Sequence, residues 1–423
     1  MGDLGEHERR FFDTIVSMMR WSSAGESHGR HVIAFIEGIP AGVEVSTHEL
    51  AEELRRRRTG YGRGARQQFE QDECTFISGV RHGRTLGSPI AIEIHNSEWP
   101  KWEAVMNPDP VAPAELYKST GRGDSKELAR NARLTRPRPG HADYAGVQKF
   151  GFSDIRNVLE RASARETVAR VAAGYVAKKF LAQVADIAIA GHVVEVGSEQ
   201  AATAHPIVLR DRPQIEESSV RCADPAVAAR FIAEIDAAKS AGDTLGGVVE
   251  VVAWNVPVGV GTYTVWRDRL DSRLAASLMS IPAVKGVEIG DGFASARRRG
   301  SAAHDHITRT PQGIERPTNH AGGIEGGMSN GEPIVARIAV KPIATVPRAL
   351  RTVDLSTGEE STAIHQRSDT TAVVPAAVIA EAMMALTLAE AVLERSAGDQ
   401  VADVRAHYDL FARSQQPDWQ GVK

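Results

Sequence analysis

Cysteine is scarce in this sequence. The two cysteines, Cys74 and Cys222, lie far apart and outside any C-x-x-C pattern in a chain of 423 residues. That spacing excludes a disulfide framework and a zinc site of the usual pattern, and it favours a reducing compartment. We interpret both cysteines as small core residues.

A strong excess of charge and a long apolar run near the N-terminus are also missing. The formal net charge is -4, with 42% hydrophobic and 25% charged residues, which is typical of a folded globular protein. This balance argues against a protein that coats nucleic acid, although basic clusters can still bind one anion. The first 20 residues have mixed charges and a short apolar stretch at 14–19, too brief for a signal peptide or membrane span. We therefore expect a cytoplasmic protein with no membrane or nucleic-acid partner.

Strand and helix patterns alternate irregularly along the chain. Apolar, β-branched runs predict strands at 32–36, 73–80, 90–95, 187–196, 247–254 and 333–340. Helical periodicity predicts helices at 162–183, 225–241 and 375–395, and a capping box of Ser46 and Glu49 begins another helix that ends near Arg57. Exposed loops are expected at 107–131 and 196–224. This mixture favours an α+β or layered α/β fold.

The turn Gly25-Glu-Ser-His-Gly29 presents a hydroxyl and an imidazole between two glycines. Taken alone, His28 is most often an ordinary turn histidine. The turn also matches the G-x-S-x-G nucleophile elbow, which makes Ser27 a candidate nucleophile of a serine hydrolase. An elbow needs a helix directly after its serine, whereas 31–36 has a strand pattern and no acid and histidine follow at convincing positions. Hydrolysis is therefore the weaker alternative.

Arginine is concentrated between positions 55 and 66, where six of twelve residues are arginine and three are glycine. A bare run of charge is typical of a solvated helix face or a nucleic-acid patch. The glycines instead favour a loop that closes around a ligand, where Arg63 and Arg66 would grip phosphate or carboxylate groups with two parallel hydrogen bonds. The segment therefore predicts recognition of a polyanion.

A second basic segment, Arg136-Pro-Arg-Pro-Gly-His-Ala-Asp143, has two prolines and a glycine, which should hold His141 at a fixed angle. Soon afterwards Ser163 and Glu166 have the spacing of a capping box, with Arg161 and Arg165 beside them. Capping explains the serine and glutamate but does not require the arginines. A helix N-terminus framed by arginines is a natural seat for an anion.

The last candidate segments lie near the C-terminal end. They are the run 341–345 and the pair Arg367 and Asp369, which stand before a long helix opened by Pro375. On the motif alone, this pair is equally well explained as a salt bridge and an N-cap.

Several of these motifs together resemble those of the chorismate synthase family, in the family's order. They are 25–29, 136–143 with R-P-G-H-A-D, 161–167 with R-A-S-A-R-E-T, 286–292, 322–331 and 367–373. The resemblance extends from about residue 20 to 395. It implies an α+β fold of the β-α-β sandwich type, with helices held between two antiparallel sheets, assembled as a homotetramer. It also implies an N-terminal extension at 1–19, one catalytic domain at 20–396 and a C-terminal tail at 397–423.

The resemblance implies a 1,4-anti elimination that converts 5-enolpyruvylshikimate 3-phosphate into chorismate and requires reduced FMN (FMNH2). His28 is similar to the histidine that protonates the departing phosphate. His141 is similar to the histidine near the anionic region of the flavin, and Asp369 to the acid that works through flavin N5. These three residues are the expected catalytic groups.

The same resemblance supplies the expected ligand contacts. For FMN they are Arg161, Ala162, Ser163, Ala283, Gly326, Lys341, Pro342, Ile343, Ala344, Thr345 and Arg367. For the substrate or NADP they are Ser27, Arg57, Arg63 and Arg138. The family commonly has glutamine before the match to Ala283, whereas Pro282 stands here and lacks a backbone donor. NADPH is a candidate reductant, but no G-x-G-x-x-G fingerprint follows a strand. We therefore expect an external flavin reductase as partner.

Overall fold

The computed structural model describes residues 19–64, 72–112, 116, 130–201, 206–310, 313–363 and 369–414. The strands are β1 (Arg20–Ala24), β2 (His31–Glu37), β3 (Cys74–Ser78), β4 (Val80–Arg81), β5 (Arg84–Thr85), β6 (Ile90–His95), β7 (Ala188–Val196), β8 (Glu199–Gln200), β9 (Gly247–Trp254), β10 (Val284–Ile289), β11 (Thr308–Thr310), β12 (Gly313–Glu315), β13 (Ile324–Glu325), β14 (Met328–Ser329), β15 (Ile334–Val340), β16 (Arg351–Val353) and β17 (Glu360–Thr362).

The α-helices are α1 (Thr47–Arg58), α2 (Trp99–Trp102), α3 (Asp143–Phe150), α4 (Arg156–Ala162), α5 (Thr167–Ala185), α6 (Arg212–Glu217), α7 (Pro225–Ser240), α8 (Leu270–Met279), α9 (Gly292–Ser295), α10 (Gly300–Ala303), α11 (Val373–Arg395) and α12 (Val401–Ser414). Short 3-10 helices occur at Ala164–Glu166, Leu209–Asp211 and Trp266–Asp268.

Antiparallel pairing joins the long strands into two main sheets. One has four strands in the order β1-β2-β6-β3, and the other has five in the order β10-β15-β9-β7-β8. In β6, Ile90, Ile92 and Ile94 are almost fully buried while Glu93 between them is partly exposed. This alternation gives the four-stranded sheet one apolar face, because successive side chains of a strand point to opposite sides, whereas β9 of the five-stranded sheet is buried on both faces.

The apolar faces of both sheets pack against helices α5 and α11. Helix α5 contacts β1, β2 and β6 of one sheet and β7 of the other, and α11 contacts β7 and β9. A Cβ atom on Gly174 would lie only 2.3 Å from Cβ of Ala382, so glycine lets the two central helices approach closely. Helix α11 is apolar and long enough to span a membrane, but 94% of its most apolar window is buried inside the protein. The expected sandwich of helices between two antiparallel sheets is confirmed.

The strand predictions at 90–95, 187–196, 247–254 and 333–340 are confirmed to within a residue. The helix predicted at 162–183 is confirmed over 167–183 as part of α5, but it begins later than predicted, because Ser163 has an extended ψ of 145° and a 3-10 turn precedes α5. The loop predicted at 196–224 contains β8, a 3-10 turn and α6. Of the loop predicted at 107–131, only 107–112, 116 and 130–131 are described.

Helix α12 lies in the segment expected to be a C-terminal tail. Its residues Val404, Tyr408 and Phe411 are at most 8% exposed, so this helix adds to the packed interior. Cys222 is buried as expected, whereas Cys74 is only partly buried, which corrects the interpretation of both as core residues. Burial raises the pKa of Cys74 to about 11, so its thiol is protonated at neutral pH.

Candidate active site

The turn between β1 and β2 is locked in place by contacts from two other segments. Gly25 has a φ of +108°, and a Cβ atom there would lie 2.4 Å from the carbonyl oxygen of His31, so the turn requires glycine. The backbone N–H of Ser27 donates to the carbonyl of Glu160 over 2.9 Å. The side-chain amide of Asn96 donates to the carbonyls of Ser27 and Gly29 over 3.2 and 3.0 Å. The turn therefore holds Ser27 and His28 in fixed positions.

His28 is clamped between a carboxylate and an indole. Its Nδ1 lies 2.8 Å from Oε2 of Glu160, and its backbone N–H donates to the same oxygen over 3.0 Å. The imidazole stacks on Trp102 with ring centroids 3.8 Å apart. The Glu160 side chain is only 2% exposed, and Arg156 lies 3.5 Å from its other oxygen. The carboxylate therefore accepts the Nδ1–H, which sets the orientation and the tautomer of the ring.

The hydroxyl of Ser27 does not have the surroundings of a hydrolase nucleophile. It lies 3.2 Å from the hydroxyl of Ser163, while the imidazole of His28 is turned to Glu160. Strand β2 follows the turn where a nucleophile elbow would have a helix. The structure and the comparisons below give no support to the hydrolase alternative.

The chain around Ser163 ties the turn to the central helix α5. Arg161 donates to the carbonyls of Gly25 and Ser23 over 3.0 Å each. Ser163 caps the 3-10 turn by accepting the N–H of Arg165 over 3.3 Å. The second half of the predicted capping box is wrong, because Glu166 accepts hydrogen bonds from Ser23 and Arg170 instead. Ser163 and the helix start that it caps therefore lie next to Ser27, and binding of an anion at this place stays a prediction.

Asp72 joins the arginine-rich helix α1 to this site. It accepts hydrogen bonds from Arg165 and, over 3.4 Å, from Arg57. Burial alone would raise the pKa of Asp72, but the two guanidinium groups hold it below its ordinary value. Burial lowers the pKa of Arg57 to about 10, so that side chain stays cationic at neutral pH. Among the described residues, Nε of Arg57 has no hydrogen-bond partner although it is buried.

The glycine-rich loop after α1 meets the start of α11. Nη1 of Arg63 lies 2.5 Å from Oδ2 of Asp369, and the backbone N–H of Gly64 donates to Oδ1 over 2.7 Å. The N–H of Thr370 donates to the carbonyl of Gly62 over 2.8 Å. Asp369 is therefore a partner of the arginine loop, 306 positions away in sequence from Arg63.

His141 forms a second histidine–carboxylate unit. Its Nδ1 lies 2.5 Å from Oδ1 of Asp143, which is fully buried. Arg138 donates to the other oxygen of Asp143 over 2.9 Å and to the hydroxyl of Thr345 over 3.0 Å. Burial alone would raise the pKa of Asp143, but hydrogen bonds from His141 and Arg138 hold it well below its ordinary value. The ionised carboxylate thus holds Nδ1 of His141, while Nη2 of Arg138 lies 3.3 Å from Nε2.

The strip 341–345 lies directly beside the His141 turn. Nζ of Lys341 donates to the carbonyl of Gly140, and the backbone N–H of Lys341 donates to the carbonyl of Ala283 over 2.9 Å. Ala283 has a φ of +72°, which is uncommon for a residue with a Cβ atom. The hydroxyl of Thr244 holds the carbonyl of Ile343 over 2.9 Å. The residues expected at the flavin from 283 and 341–345 therefore converge on His141.

The structure thus arranges the expected residues in three clusters. The Ser27 cluster holds Ser27, His28, Arg161, Ala162, Ser163 and, through Asp72, Arg57. The His141 cluster holds Arg138, His141, Ala283 and 341–345. The Asp369 cluster holds Arg63 and Asp369. Gly326 lies apart, at the turn between β13 and β14, and Arg66 and Arg367 lie outside the described residues.

Two cavities lie away from His28, His141 and Asp369. One, of about 440 Å³, is lined by residues including Gly42, Gln183 and Val401. The other, of about 350 Å³, is lined by residues including Arg56, Tyr61 and Arg221 beside the arginine-rich helix. The candidate site is therefore defined by its hydrogen-bonded clusters rather than by either of these cavities.

The sequence did not identify four residues that the structure places at the histidines, namely Trp102, Asp143, Arg156 and Glu160. The spacing of Arg156 and Glu160 is that of an i,i+4 ion pair on a helix, which was a usable signal for α4. Asp143 stands within the motif that carries His141, two positions away. Trp102 gave no signal, because its contact with His28 joins distant parts of the chain.

Comparisons with known proteins agree with one another. The family model for chorismate synthase matches residues 19–393. A chorismate synthase of Mycolicibacterium smegmatis is 57% identical over 397 residues, covering 94% of this chain and 97% of the relative. A chorismate synthase of Nocardia farcinica is 58% identical over 387 residues, covering 92% and 93%. A crystal structure of chorismate synthase superposes with a TM-score of 0.73 at 37% identity, covering 94% of this chain and 98% of the other.

The motifs, the sandwich and these matches extend over the same part of the chain, from the start of β1 to the end of α11. Such identity across nearly the whole length of each relative leaves no large part of the fold unmatched. The chain therefore belongs to the chorismate synthase family, lyases of the shikimate pathway that serve aromatic biosynthesis.

Proposed function

We propose that this chain catalyses the 1,4-anti elimination of phosphate from 5-enolpyruvylshikimate 3-phosphate to give chorismate, in the presence of reduced FMN. In this reaction a proton leaves ring carbon 6 and phosphate leaves carbon 3, with no net change in oxidation state. The substrate is a polyanion, so it needs cations for recognition and a proton donor for the departing phosphate. The arginines and histidines of the three clusters are groups of that kind.

The residues proposed to hold FMN belong to two of these clusters. Arg161, Ala162 and Ser163 end helix α4, and 341–345 with Ala283 line the His141 turn. Arg161 is exposed and Lys341 is half-buried, so both offer a cation to an anionic flavin. A Cβ atom on Gly326 would meet no described atom within 4 Å, which leaves space for a flat ligand there. When bound, reduced FMN would supply transient electron density and a base for the ring proton.

His28 is proposed to protonate the departing phosphate. The Glu160 carboxylate holds its Nδ1, so Nε2 carries the proton that is transferred. An imidazole is suited to this exchange near neutral pH. Stacking on Trp102 prevents the ring from turning away.

His141 is proposed to stabilise negative charge that develops at the reacting centre, and Asp369 is proposed as the catalytic carboxylate. Asp143 holds Nδ1 of His141, and Nη2 of Arg138 lies 3.3 Å from its Nε2, so both ring nitrogens have fixed surroundings. Asp369 is held by Arg63 and by the N–H of Gly64, which fixes its orientation. Such fixed groups need no reorganisation during the reaction.

Ser27, Arg57, Arg63 and Arg138 are proposed to bind the substrate or NADP. Guanidinium groups suit this role because they present paired donors to phosphate and carboxylate oxygens. Arg57 is 5% and Arg138 is 8% exposed, so these two act from beneath the surface. Ser27 adds a hydroxyl donor next to Ser163.

One observation carries the proposal. Each of the two histidines has Nδ1 fixed by a buried carboxylate, and each carboxylate is paired with an arginine. A histidine fixed in this way is prepared for proton transfer or charge stabilisation at Nε2, as in other histidine–carboxylate sites.

The decisive experiment is an anaerobic assay with 5-enolpyruvylshikimate 3-phosphate and photoreduced FMN, in which chorismate and phosphate are measured. We expect both products in equal amounts. The variant His141→Ala should lower turnover at saturating flavin by at least about tenfold. His48→Ala is the matched control, because His48 is exposed on α1. Failure of the wild type to form chorismate would reject the proposed function.

We further propose that reduced flavin is supplied by an external reductase. The same assay with oxidised FMN and NADPH as sole reductant distinguishes the two sources. Chorismate should form only when a flavin reductase is added. Formation without a reductase would show that the chain reduces its own flavin with NADPH.

We also propose a cytoplasmic homotetramer. Several large apolar side chains are exposed on the single chain, including Trp266 at 76% and both Tyr263 and Phe293 at 70%. Large exposed apolar side chains of this kind favour burial against another copy of the chain. Light scattering should give a mass about four times the 45.6 kDa of one chain, and a mass of 45.6 kDa would contradict assembly.

A further inference from the structure

We infer that Glu160 and Asp143 are positioning residues that fix the tautomer and orientation of His28 and His141, and that one pair of helices holds both. The inference rests on the proposed function, since it concerns the histidines of that site. It adds two carboxylates that act on the reaction by holding the imidazoles.

Glu160 reaches His28 through two independent contacts. It accepts from the imidazole Nδ1–H over 2.8 Å and from the backbone N–H of His28 over 3.0 Å. Because the backbone and the side chain bind the same carboxylate, the ring cannot rotate without losing a hydrogen bond. Trp102 covers one face of the ring at 3.8 Å. Position and tautomer of His28 are therefore set together.

Asp143 holds His141 in a similar way but from within the same motif. It accepts from Nδ1 of His141 over 2.5 Å, while its other oxygen accepts the backbone N–H and Nε of Arg138 over 3.0 and 2.9 Å. The carboxylate is fully buried. It therefore has no alternative water partner and must remain on these donors.

The two carboxylates belong to one helical hairpin. Asp143 is the first residue of α3, and Glu160 lies in the last turn of α4. The helices pack through Val147, Ile155 and Leu159, each no more than 6% exposed, which form their own small apolar cluster. The hairpin thus acts as a rigid frame that presents one carboxylate at each end, one for each histidine.

The chemistry explains why a carboxylate is used at these positions. A neutral imidazole carries its proton on either nitrogen, and only an acceptor at Nδ1 keeps the proton there. An amide in place of the carboxylate is able to present its NH₂ group and so to stabilise the opposite tautomer. Replacing Glu160 by Gln or Asp143 by Asn therefore keeps the shape of the side chain but removes the acceptor that fixes the tautomer of the histidine.

The test compares kcat and KM for Glu160→Gln and Asp143→Asn under anaerobic conditions with photoreduced FMN. We expect each variant to lose roughly ten- to hundredfold in kcat, because the imidazole of His28 is no longer aligned for proton transfer or that of His141 for charge stabilisation. The KM of Glu160→Gln should change by less than about threefold, because Glu160 contacts none of the arginines proposed to bind the substrate, whereas Asp143→Asn also loses the partner of Arg138 and is compared by kcat alone. A rise in KM at unchanged kcat would overturn the inference.

Glu250→Gln is the matched control. Glu250 is also buried, also accepts from a histidine, His192, over 3.0 Å, and also pairs with an arginine, Arg337. It lies on β9 of the five-stranded sheet, outside the three clusters of the site. Its variant should keep kcat within about twofold of wild type. An equal loss in Glu250→Gln would show that the effect belongs to any buried carboxylate.

A double-mutant cycle separates positioning from an independent role. If Glu160 acts only through His28, the double variant His28→Ala with Glu160→Gln turns over at the rate of His28→Ala alone. Multiplied losses would overturn the inference. If Glu160→Gln does not fold, Glu160→Asp is the second variant, since it keeps the charge but shortens the reach, and it should show the same loss in kcat. An inactive wild type rejects the proposed function, whereas an active wild type with multiplied losses rejects this inference alone.

Discussion

Removal of the Glu381 carboxylate should destabilise the protein more than removal of any exposed acid. Glu381 lies fully buried in the middle of α11. It accepts from Arg56 over 2.9 Å, from Lys178 over 2.5 Å, from Arg221 over 3.3 Å and from the backbone N–H of Gly191 over 2.8 Å. The side chain therefore joins three cations and the edge of β7 at the centre of the sandwich.

The size of the effect follows from the charges in this network. Arg56, Lys178 and Arg221 are balanced by Glu53, Glu216 and Glu381. Burial would raise the pKa of Glu381, but the neighbouring cations hold it well below its ordinary value, so the group is ionised. Glu381→Ala leaves three cations with two carboxylates, and breaking a buried pair in this way costs about 3–5 kcal/mol.

Thermal unfolding converts this cost into a measurable shift. With about 2.1 cal/mol/K of unfolding entropy per residue, a chain of 423 residues has roughly 0.9 kcal/mol/K. The melting temperature of Glu381→Ala should therefore fall by about 3–6 °C in differential scanning calorimetry.

Two further variants test the reasoning. Glu360→Ala removes one partner of the Arg351–Glu360 pair, whose side chains are 82% and 79% exposed, and should change Tm by less than about 1 °C. Adding Lys178→Met to Glu381→Ala removes one unbalanced cation and should recover part of the loss. Equal Tm values for Glu381→Ala and Glu360→Ala, or a further loss in the double variant, would refute the role given to the network.

Three other predictions concern the site and acid stability. Arg63→Ala should weaken substrate binding by about 1.5–3 kcal/mol, the range for hydrogen bonds to charged groups. Equal KM values for the variant and the wild type would reject this role of Arg63. Arg63→Lys is the control that keeps the positive charge. Gly25→Ala should lower both Tm and turnover, because its Cβ would lie 2.4 Å from the carbonyl oxygen of His31. The control Gly151→Ala has a φ of +67° and no described atom within 4 Å of its Cβ, so it should lose only the stability that the strained φ costs. Equal falls in Tm for the two variants would show that the steric clash at Gly25 is not the cause. Although burial opposes it, hydrogen bonds from Arg56 and Arg221 lower the pKa of Glu216 from 4.5 to about 2. Since the folded pKa is the lower one, this stability is present above pH 4.5 and lost as pH falls toward 2, so the urea midpoint of wild type should fall more steeply there than that of Glu216→Gln.

Local patterns were sufficient to predict most of the scaffold. Strands β6 and β9 have apolar, β-branched sequences between turn residues, and the structure confirms both. The fold came from the resemblance of motifs and not from periodicity, which left α+β and layered α/β folds open. The order of strands in the sheets, such as β9 between β15 and β7, has no local signal because each pairing joins distant parts of the chain.

The start of the helix predicted at 162–183 shows where local reasoning was incomplete. The spacing of Ser163 and Glu166 predicts a cap at this point, and the hydroxyl of Ser163 does accept the N–H of Arg165. The α-helix itself begins only at Thr167, after a 3-10 turn at Ala164–Glu166. In this segment Ser163 lies 3.2 Å from the hydroxyl of Ser27, and Glu166 accepts from Ser23, so its side chains are used for contacts with the turn between β1 and β2. Such tertiary contacts leave no periodic signal in the sequence.

The partners of the two histidines were also beyond local reasoning, for different reasons. Glu160 and Trp102 reach His28 across 132 and 74 positions, so only the folded chain brings them together. Asp143 is two positions from His141, but the motif alone does not show whether the carboxylate turns toward the ring or toward Arg138. In the structure it does both, because its two oxygens accept from different donors.

The arginines of the site are of two kinds, those paired with a buried carboxylate and those that donate only to neutral oxygens. Arg138 uses Nε, Nη1 and Nη2 on Asp143, Thr345 and His141, and it is 8% exposed. Much of its positive charge is therefore balanced by the carboxylate that also holds His141. Arg161 is exposed and donates through its two terminal nitrogens to two carbonyl oxygens and to the hydroxyl of Ser23, none of which carries a full charge to neutralise it. Its positive charge remains available to an anion, so the electrostatic attraction of the Ser27 cluster comes from Arg161 more than from the buried, carboxylate-paired arginines.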